Sequence, residues 1–154
     1  MKIFIMRHGE AEHVADSDAE RALTKRGKMA SLAVAQAANE QGISQFDKVL
    51  VSPYLRAQET WLEISQAFSG KKVETCDDIT PYGMSDDVFD LTIAMAEVEK
   101  LETILFVSHL PLVGYLTAEF ATGMAPPMFP TSGLACIEFD LETQKGELLW
   151  NINP

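Results

Sequence analysis

Short apolar runs and longer stretches with helical spacing alternate along this chain. The first runs consist mainly of Ile, Val, Leu and Phe with little polar alternation, which is typical of strands covered on both faces of a sheet. Turn residues delimit the last two runs. The pattern predicts six strands, at about 3–6, 48–51, 72–76, 103–107, 134–140 and 147–152.

The stretches between these runs predict four helices. Thr24 is a suitable N-cap for the first helix, which Gly42 would end, and Ser52-Pro53 fits the N-cap and first position of the second, which Gly70 would end. In the third helix, Val88, Leu91, Ala94 or Met95, and Val98 fall at the spacing of a buried face. The four helices are expected at about 25–41, 53–68, 85–101 and 111–121.

Alternation of strands with helices indicates the fold class. It predicts an α/β protein, a three-layer α/β/α sandwich whose sheet is mainly parallel. The last two strands are joined by a short turn and are expected to form an antiparallel hairpin on one edge. A chain of 154 residues without a linker or repeat is expected to form a single domain, residues 1–154.

Charge and cysteine content restrict the possible partners and compartment. The chain has 12 Lys and Arg against 23 Asp and Glu, a formal charge of −11, so we expect neither nucleic acid nor an anionic membrane as partner. No segment resembles a signal peptide or a transmembrane helix. Cys76 and Cys136 both fall in predicted strands and are interpreted as reduced, buried hydrophobic residues. We therefore expect the cytoplasm as the compartment.

Three of the predicted strands end in polar residues of one chemical kind. These ends read Arg7-His8-Gly9, Ser52 followed by Arg56 in the next turn of helix, and Ser108-His109. Ligands of open α/β sheets bind at the carboxyl ends of strands, where helix N-termini also favour anions. Arginine forks match phosphate oxygens, and an imidazole can act as a nucleophile. The combination predicts a phosphate-handling site.

Each residue has a simpler interpretation when it is taken singly. Arg56 could be a solvated helix residue, and His109 a core histidine bonded to a carbonyl. His13 lies in an acidic loop, matches nothing in the pattern and is interpreted as solvated. Ser52 and Ser108 are interpreted as caps rather than nucleophiles, since neither lies in a Gly-x-Ser-x-Gly elbow.

Taken together, these motifs resemble the histidine phosphatase superfamily, also called the phosphoglycerate-mutase-like fold. Arg7-His8-Gly9 resembles the namesake motif, residues 52–60 (SPYLRAQET) resemble Ser-Pro-x-x-Arg-Ala-x-x-Thr, and Ser108-His109 matches the second histidine. Within the superfamily, the short chain, the Leu-Thr-x-x-Gly element at 23–27 and SHLPLVG at 108–114 are similar to SixA-type phosphohistidine phosphatases of bacteria. The resemblance implies a protein phosphohistidine as substrate.

The resemblance also implies roles for four residues. His8 would be the nucleophile that takes the phosphoryl group, while Arg7, Arg56 and an imidazolium at His109 bind it. Phosphoryl transfer is mainly positioning and charge neutralisation, so no metal and no cofactor are expected. No His, Asp or Cys cluster has metal-ligand spacing.

The chain departs from the superfamily at the general acid. Many members carry a Glu before a glycine after the second motif, whereas residues 79–83 read ITPYG. A phosphomonoester needs its alkoxide protonated, but a phosphohistidine with a protonated ring leaves as neutral imidazole. The missing acid therefore favours P–N cleavage. Glu10, Asp18 and water remain candidate proton donors, and Arg21 a candidate substrate contact.

The short connection between Arg56 and His109 leaves no room for a long lid, which suits a phosphate presented by another protein. We expect a phosphorylated histidine phosphotransfer domain or phosphocarrier as partner. The loop at 124–130 could be an apolar partner surface or a connection packed on the core. The alternatives are a phosphomonoesterase or mutase for small phosphates, and a non-catalytic phosphoprotein-binding module.

Overall fold

The computed structural model describes residues 1–154 and contains one six-stranded sheet, in the order β3-β2-β4-β1-β5-β6. Its strands are β1 (Lys2–Arg7), β2 (Gln45–Val51), β3 (Ser69–Thr75), β4 (Thr103–Ser108), β5 (Leu134–Asp140) and β6 (Lys145–Ile152). The first four strands are parallel to one another. β5 pairs antiparallel with β1, and β6 pairs antiparallel with β5. All six predicted strands are present, and the predicted antiparallel hairpin forms one edge. A single sheet is consistent with the predicted single domain.

Helices cover both faces of this sheet. They are α1 (Lys25–Glu40), α2 (Leu55–Ile64), α3 (Ser85–Glu99) and α4 (Leu112–Phe120). Val34, Ala35 and Ile64 of α1 and α2 pack in one core with Phe4 and Met6. Apolar residues of α3 and α4 pack in a second core with the opposite face of β1. The three-layer sandwich is therefore confirmed, and burial on both faces explains the unbroken apolar run of β1.

The second helix is shorter than the sequence predicted. It begins at Leu55 with Tyr54 in the N-cap position, so the prediction of Ser52 as N-cap and Pro53 as first helical residue was wrong. The N–H of Ser52 instead continues the strand by donating to the carbonyl of Val107 at 3.0 Å. Gly70 does not end the helix, because it lies in β3. That strand is exposed along most of its length, so its first residues lack an apolar run.

The buried face of α3 includes most of the predicted positions, since Val88 is buried and Leu91 and Met95 pack against the same core. Val88, Thr92 and Ala96 are buried, whereas Val98 is 81% exposed. The Thr92 hydroxyl donates to the carbonyl of Val88 at 2.7 Å, so a polar residue is buried at little cost. Counting only apolar residues left Thr92 out of this face and wrongly placed Val98 in it.

The two cysteines are free and buried. Cys136 lies in β5, where burial raises the pKa of its thiol to about 11. Cys76 follows β3 rather than lying in it. Both behave as hydrophobic residues, as predicted. No helix has the length and apolar character required to cross a bilayer.

Strand order brings together the carboxyl ends of β1, β2 and β4, which carry the candidate site residues. In the sheet, β4 lies between β2 and β1, and Arg7 is in register with Ser108. The N–H of His8 donates to the carbonyl of Ser108 at 2.9 Å. The residues that follow β1, β2 and β4 are therefore neighbours at one edge of the sheet.

Candidate active site

His8 follows β1 and is almost completely buried, with 7% exposure. Its Nδ1 lies 2.7 Å from the carbonyl oxygen of Gly9. Because a carbonyl can only accept, Nδ1 carries the proton and Nε2 keeps its lone pair. The available nucleophilic atom is therefore Nε2.

Arg56 projects from the first turn of α2 to this atom. Its Nε donates to His8 Nε2 at 3.3 Å. Its two terminal nitrogens donate to Asp18, one to the main-chain carbonyl at 2.6 Å and one to the carboxylate at 3.2 Å. The guanidinium also lies over the Tyr54 ring, 5.0 Å from its centroid. All three guanidinium nitrogens therefore have hydrogen-bond partners within the protein.

Arg7 is less completely paired. One terminal nitrogen donates to the carbonyl of Phe129 at 2.9 Å, but Arg7 forms no ion pair with a carboxylate, and its buried Nε has no partner. Burial, and secondarily the charge of Arg56, lower the pKa of Arg7. The site therefore contains a cation that lacks a counter-ion.

His109 follows β4 and is 1% exposed. Its Nε2 lies 2.7 Å from the hydroxyl of Ser52, and its ring centroid lies 5.0 Å from that of His8. Its Nδ1 is buried without a partner. In the whole protein only His109 Nδ1 and Arg7 Nε are buried side-chain atoms of this kind. Unpaired buried polar atoms are costly, and both residues line one cavity.

Both imidazoles are neutral near pH 7. Burial, followed by the charges of Arg56, Arg7 and Arg21, lowers the pKa of His8 to about 4, although the Gly9 carbonyl opposes the shift. Burial and the neighbouring His8 and Arg56 lower the pKa of His109 to about 2. A neutral His109 differs from the imidazolium that the resemblance implied.

The cavity above these residues has a volume of about 540 Å³. Every arginine and every histidine of the chain lines it, in a protein whose formal charge is −11. The cationic and imidazole side chains are Arg7, Arg21, Arg26, Arg56, His8, His13 and His109. His13 was interpreted only as a solvated residue, and Arg26 was not singled out at all. Both are exposed and belong to the mouth of the cavity, a position that no local pattern indicates.

The candidate proton donors are held as carboxylates. Hydrogen bonds from Arg26 and from the Thr24 hydroxyl lower the pKa of Glu10, and a hydrogen bond from Arg21, then Arg56, lowers that of Asp18. Arg21 itself bonds Asp18 and the carbonyl of Glu12. No residue of the 77–83 segment lines the cavity. Neither Glu10 nor Asp18 is therefore poised as a carboxylic acid at neutral pH.

Close packing holds the loop after β1. A Cβ on Gly27 would lie 2.2 Å from the carbonyl oxygen of Glu10, so only glycine allows α1 to approach the loop this closely. Thr24 caps α1 by accepting the N–H of Gly27 at 2.9 Å. Thr60 accepts the N–H of Gly9 at 3.0 Å and donates to the carbonyl of Arg56 at 2.7 Å. One hydroxyl therefore connects the His8 loop to the Arg56 helix.

The serines at the strand ends do not cap helices. The Ser108 hydroxyl donates to the carbonyl of Ile79 at 2.7 Å. The Ser52 hydroxyl contacts His109 and the N–H of Tyr54. The interpretation of both as caps was wrong, since Tyr54 holds the N-cap position of α2 and Pro111 that of α4.

Residues 3–86 match the profile of the Histidine phosphatase superfamily (branch 1). The chain is similar to the Phosphohistidine phosphatase SixA of Escherichia coli (strain K12), with 39% identity over all of this chain and 94% of that protein. It is 40% identical to a SixA homolog of Haemophilus influenzae, over 97% of this chain and 93% of that protein.

Solved structures give the same result. A structure of the protein histidine phosphatase SixA complexed with tungstate matches all of this chain and 97% of that chain, with a TM-score of 0.93 and 39% sequence identity. Tungstate is a tetrahedral oxyanion, so a related protein binds an anion of the geometry expected here.

Proposed function

Because the chain belongs to the histidine phosphatase superfamily, we propose that it is a phosphohistidine phosphatase that removes phosphate from a histidine of another protein. One observation carries the proposal. The lone pair of a buried, neutral His8 Nε2 accepts from Arg56 Nε, and the only two buried side-chain nitrogens without a partner belong to Arg7 and His109 of the same cavity.

In the first step, Nε2 of His8 attacks the phosphorus. A P–N bond forms at His8 while the P–N bond of the substrate breaks, and its electron pair leaves on the substrate imidazole. Arg7, Arg56 and His109 bind the three equatorial oxygens, which carry the charge. Arg56 Nε, which bonds Nε2 in the free protein, then donates to an oxygen instead.

In the second step, water attacks the phosphorus of phosphorylated His8. The bond to Nε2 breaks and inorganic phosphate is released. The proton that Gly9 holds on Nδ1 makes the phosphorylated ring a cation, so His8 leaves as a neutral imidazole. Neither step needs a metal or an enzymic acid to protonate the leaving group.

The ion pairing of both candidate acids supports P–N over P–O cleavage. Glu10 and Asp18 are ion-paired, and hydrogen bonds from their partners keep the pKa of each low. An alkoxide leaving group would need the proton that these residues cannot supply. A protonated phosphohistidine already carries that proton when it binds.

Exposed apolar residues beside the cavity support a protein substrate. Val14 is 91% exposed and follows His13 of the cavity mouth, and Met128 is 84% exposed and precedes Phe129, whose carbonyl binds Arg7. Phe129 itself is buried, so the 124–130 loop combines the two alternatives expected for it. Apolar groups around a polar site are typical of protein docking. The partner is a histidine phosphotransfer domain or phosphocarrier, met in the cytoplasm.

The test compares a phosphohistidine protein with a panel of small phosphate esters, with and without a chelator. We expect phosphate release from the phosphoprotein, no effect of the chelator, and a loss on the order of a thousandfold or more in His8→Ala. Rapid quenching in base should trap phosphate on wild-type protein and none on His8→Ala.

Three results would contradict the proposal. Faster hydrolysis of the esters than of the phosphoprotein would favour a phosphomonoesterase. Binding of the phosphoprotein without turnover would favour a binding module. Activity that disappears with the chelator would favour a metal-dependent reaction.

A further inference from the structure

Ser52 is a buried polar residue that the mechanism above does not use. It follows β2 and is 0% exposed. Its main-chain N–H is bonded to the carbonyl of Val107 at 3.0 Å, and its carbonyl accepts from the Gln58 side chain at 2.9 Å. The position of its hydroxyl is therefore fixed by the sheet on one side and by α2 on the other.

The hydrogen bonds of this hydroxyl determine its direction. The N–H of Tyr54 donates to Ser52 Oγ at 3.3 Å, so the oxygen is an acceptor there. Its other neighbour is His109 Nε2 at 2.7 Å, and it has no third partner. If Nε2 carried the proton, the hydroxyl hydrogen would be left buried without an acceptor, which is costly. The satisfied arrangement has Ser52 donating to an unprotonated Nε2.

We propose that Ser52 is a positioning residue that fixes the tautomer of His109, keeping the proton on Nδ1 so that the neutral ring donates a hydrogen bond to the phosphoryl group. The proposal rests on the proposed function, since it assumes that His109 binds the transferred group. Nδ1 is the buried atom that has no partner in the protein. The opposite tautomer would offer a lone pair to a phosphoryl oxygen and repel it.

The two histidines of the site then share a tautomer but use it differently. His8 is anchored through Nδ1–H on the Gly9 carbonyl, which leaves a lone pair for attack. His109 is anchored through its acceptor nitrogen on Ser52, which leaves a donor for the oxygens. Tyr54, whose ring centroid lies 5.0 Å from that of His109, packs against the ring and limits its rotation.

The first test needs no substrate. Long-range ¹H–¹⁵N NMR spectra of labelled protein at neutral pH should show the His109 Nδ1 signal at the position of a protonated nitrogen and Nε2 at that of an unprotonated one. Ser52→Ala should move both signals toward the averaged tautomers, and Ser52→Thr, which keeps the hydroxyl, should restore them. Ser108→Ala is the matched control, because that buried hydroxyl bonds the Ile79 carbonyl instead.

The second test uses tungstate and the phosphoprotein. Tungstate should shift the His109 Nδ1–H signal in wild type, and its affinity should fall about tenfold in Ser52→Ala, as for the loss of one hydrogen bond. We expect kcat on the phosphoprotein to fall roughly 10- to 100-fold in Ser52→Ala, the effect of losing a partner that orients a ring, with recovery in Ser52→Thr.

A His109 that is protonated on Nε2 in the wild type would overturn the proposal and leave the proposed function standing. Unchanged His109 signals and tungstate affinity in Ser52→Ala would also overturn it. The predicted tautomer together with tungstate binding, but without cleavage of any phosphohistidine, would contradict the proposed function alone. If Ser52→Ala fails to fold, the His109 tautomer measured in the wild type and in Ser52→Thr still tests the proposal.

Discussion

Two buried cations in this protein, Lys48 and Arg56, have very different surroundings. Both side chains are 5% exposed. Lys48 lies 2.7 Å from the Glu99 carboxylate, where α3 ends, and 3.5 Å from that of Glu74. These carboxylates outweigh burial and raise the pKa of Lys48. Its charge is fully compensated within the fold.

Arg56 lies at the opposite, carboxyl end of the strands and has one carboxylate partner, Asp18, whose side chain is 49% exposed. Its neighbour Arg7 has none. The difference distinguishes structure from function: a buried cation with its own carboxylates stabilises the fold, whereas undercompensated cations with unpaired donors form a site for an anion.

Replacing Arg56 should have the largest effect. Arg56→Met is expected to lower kcat/KM on the phosphoprotein on the order of a thousandfold, because a donor to the transferring group is lost. The free energy of unfolding should change by less than about 1 kcal/mol, since the released Asp18 is partly solvated. Steady-state kinetics and urea denaturation measure the two quantities. If Arg56→Met mainly lowers the free energy of unfolding and not kcat/KM, Arg56 stabilises the fold as Lys48 does, and the comparison fails.

Lys48→Met is the matched substitution and should behave in the opposite way. We expect a loss of about 1 to 2 kcal/mol in the free energy of unfolding, because Glu99, whose side chain is only 23% exposed, loses its nearer counter-ion and keeps only Lys72. Activity of the folded protein should stay within about twofold of wild type, since Lys48 makes no contact with the cavity. A rate loss comparable to that of Arg56→Met would disprove the comparison.

The neutral histidines should make stability depend on pH. The pKa of His8 is about 4 when folded and about 6.5 when unfolded, so the unfolded chain binds more protons between these values. The free energy of unfolding should therefore decrease as the pH is lowered through this window, by about 2 kcal/mol from pH 7 to pH 5 for His8. Denaturation series should show a shallower fall for His8→Asn. Equal slopes would indicate that His8 titrates normally.

Filling the site should stabilise the protein by a smaller amount. Tungstate satisfies the unpaired donors and, at a hundredfold excess over its dissociation constant, adds about 2.7 kcal/mol at most; we expect about 1 to 2 kcal/mol at millimolar concentrations. Calorimetric melting should show this shift in wild type and Lys48→Met. It should be absent in Arg56→Met, and an equal shift there would place the anion elsewhere.

The smallest effect on activity is expected at Met128, beside the mouth of the cavity. Met128→Ser should raise KM for the phosphoprotein about three- to tenfold, as expected for one apolar contact, without changing turnover of free phosphoramidate. Val98→Ser removes an equally exposed apolar residue from α3 and serves as the control. If both variants behave alike, Met128 does not contact the partner.

Much of the fold followed from local pattern, and the exceptions have physical causes. The apolar runs of β1 and β4 predicted buried strands because both faces are covered. Exposed β3 was predicted to start three residues too late for the opposite reason. The prediction of the α3 face omitted Thr92, which can be buried because its hydroxyl is satisfied within the helix.

The candidate site divides in the same way. Sequence alone determined that Arg7, His8, Arg56 and His109 stand at strand ends or helix starts, because each position follows from a local pattern. The tertiary structure decided how these residues are placed, protonated and paired. Strand order makes them neighbours, and burial makes both imidazoles neutral. Ser52, which lies 57 residues before His109, contacts the His109 ring. Protonation and pairing depend on surroundings assembled from distant segments, which no local pattern encodes.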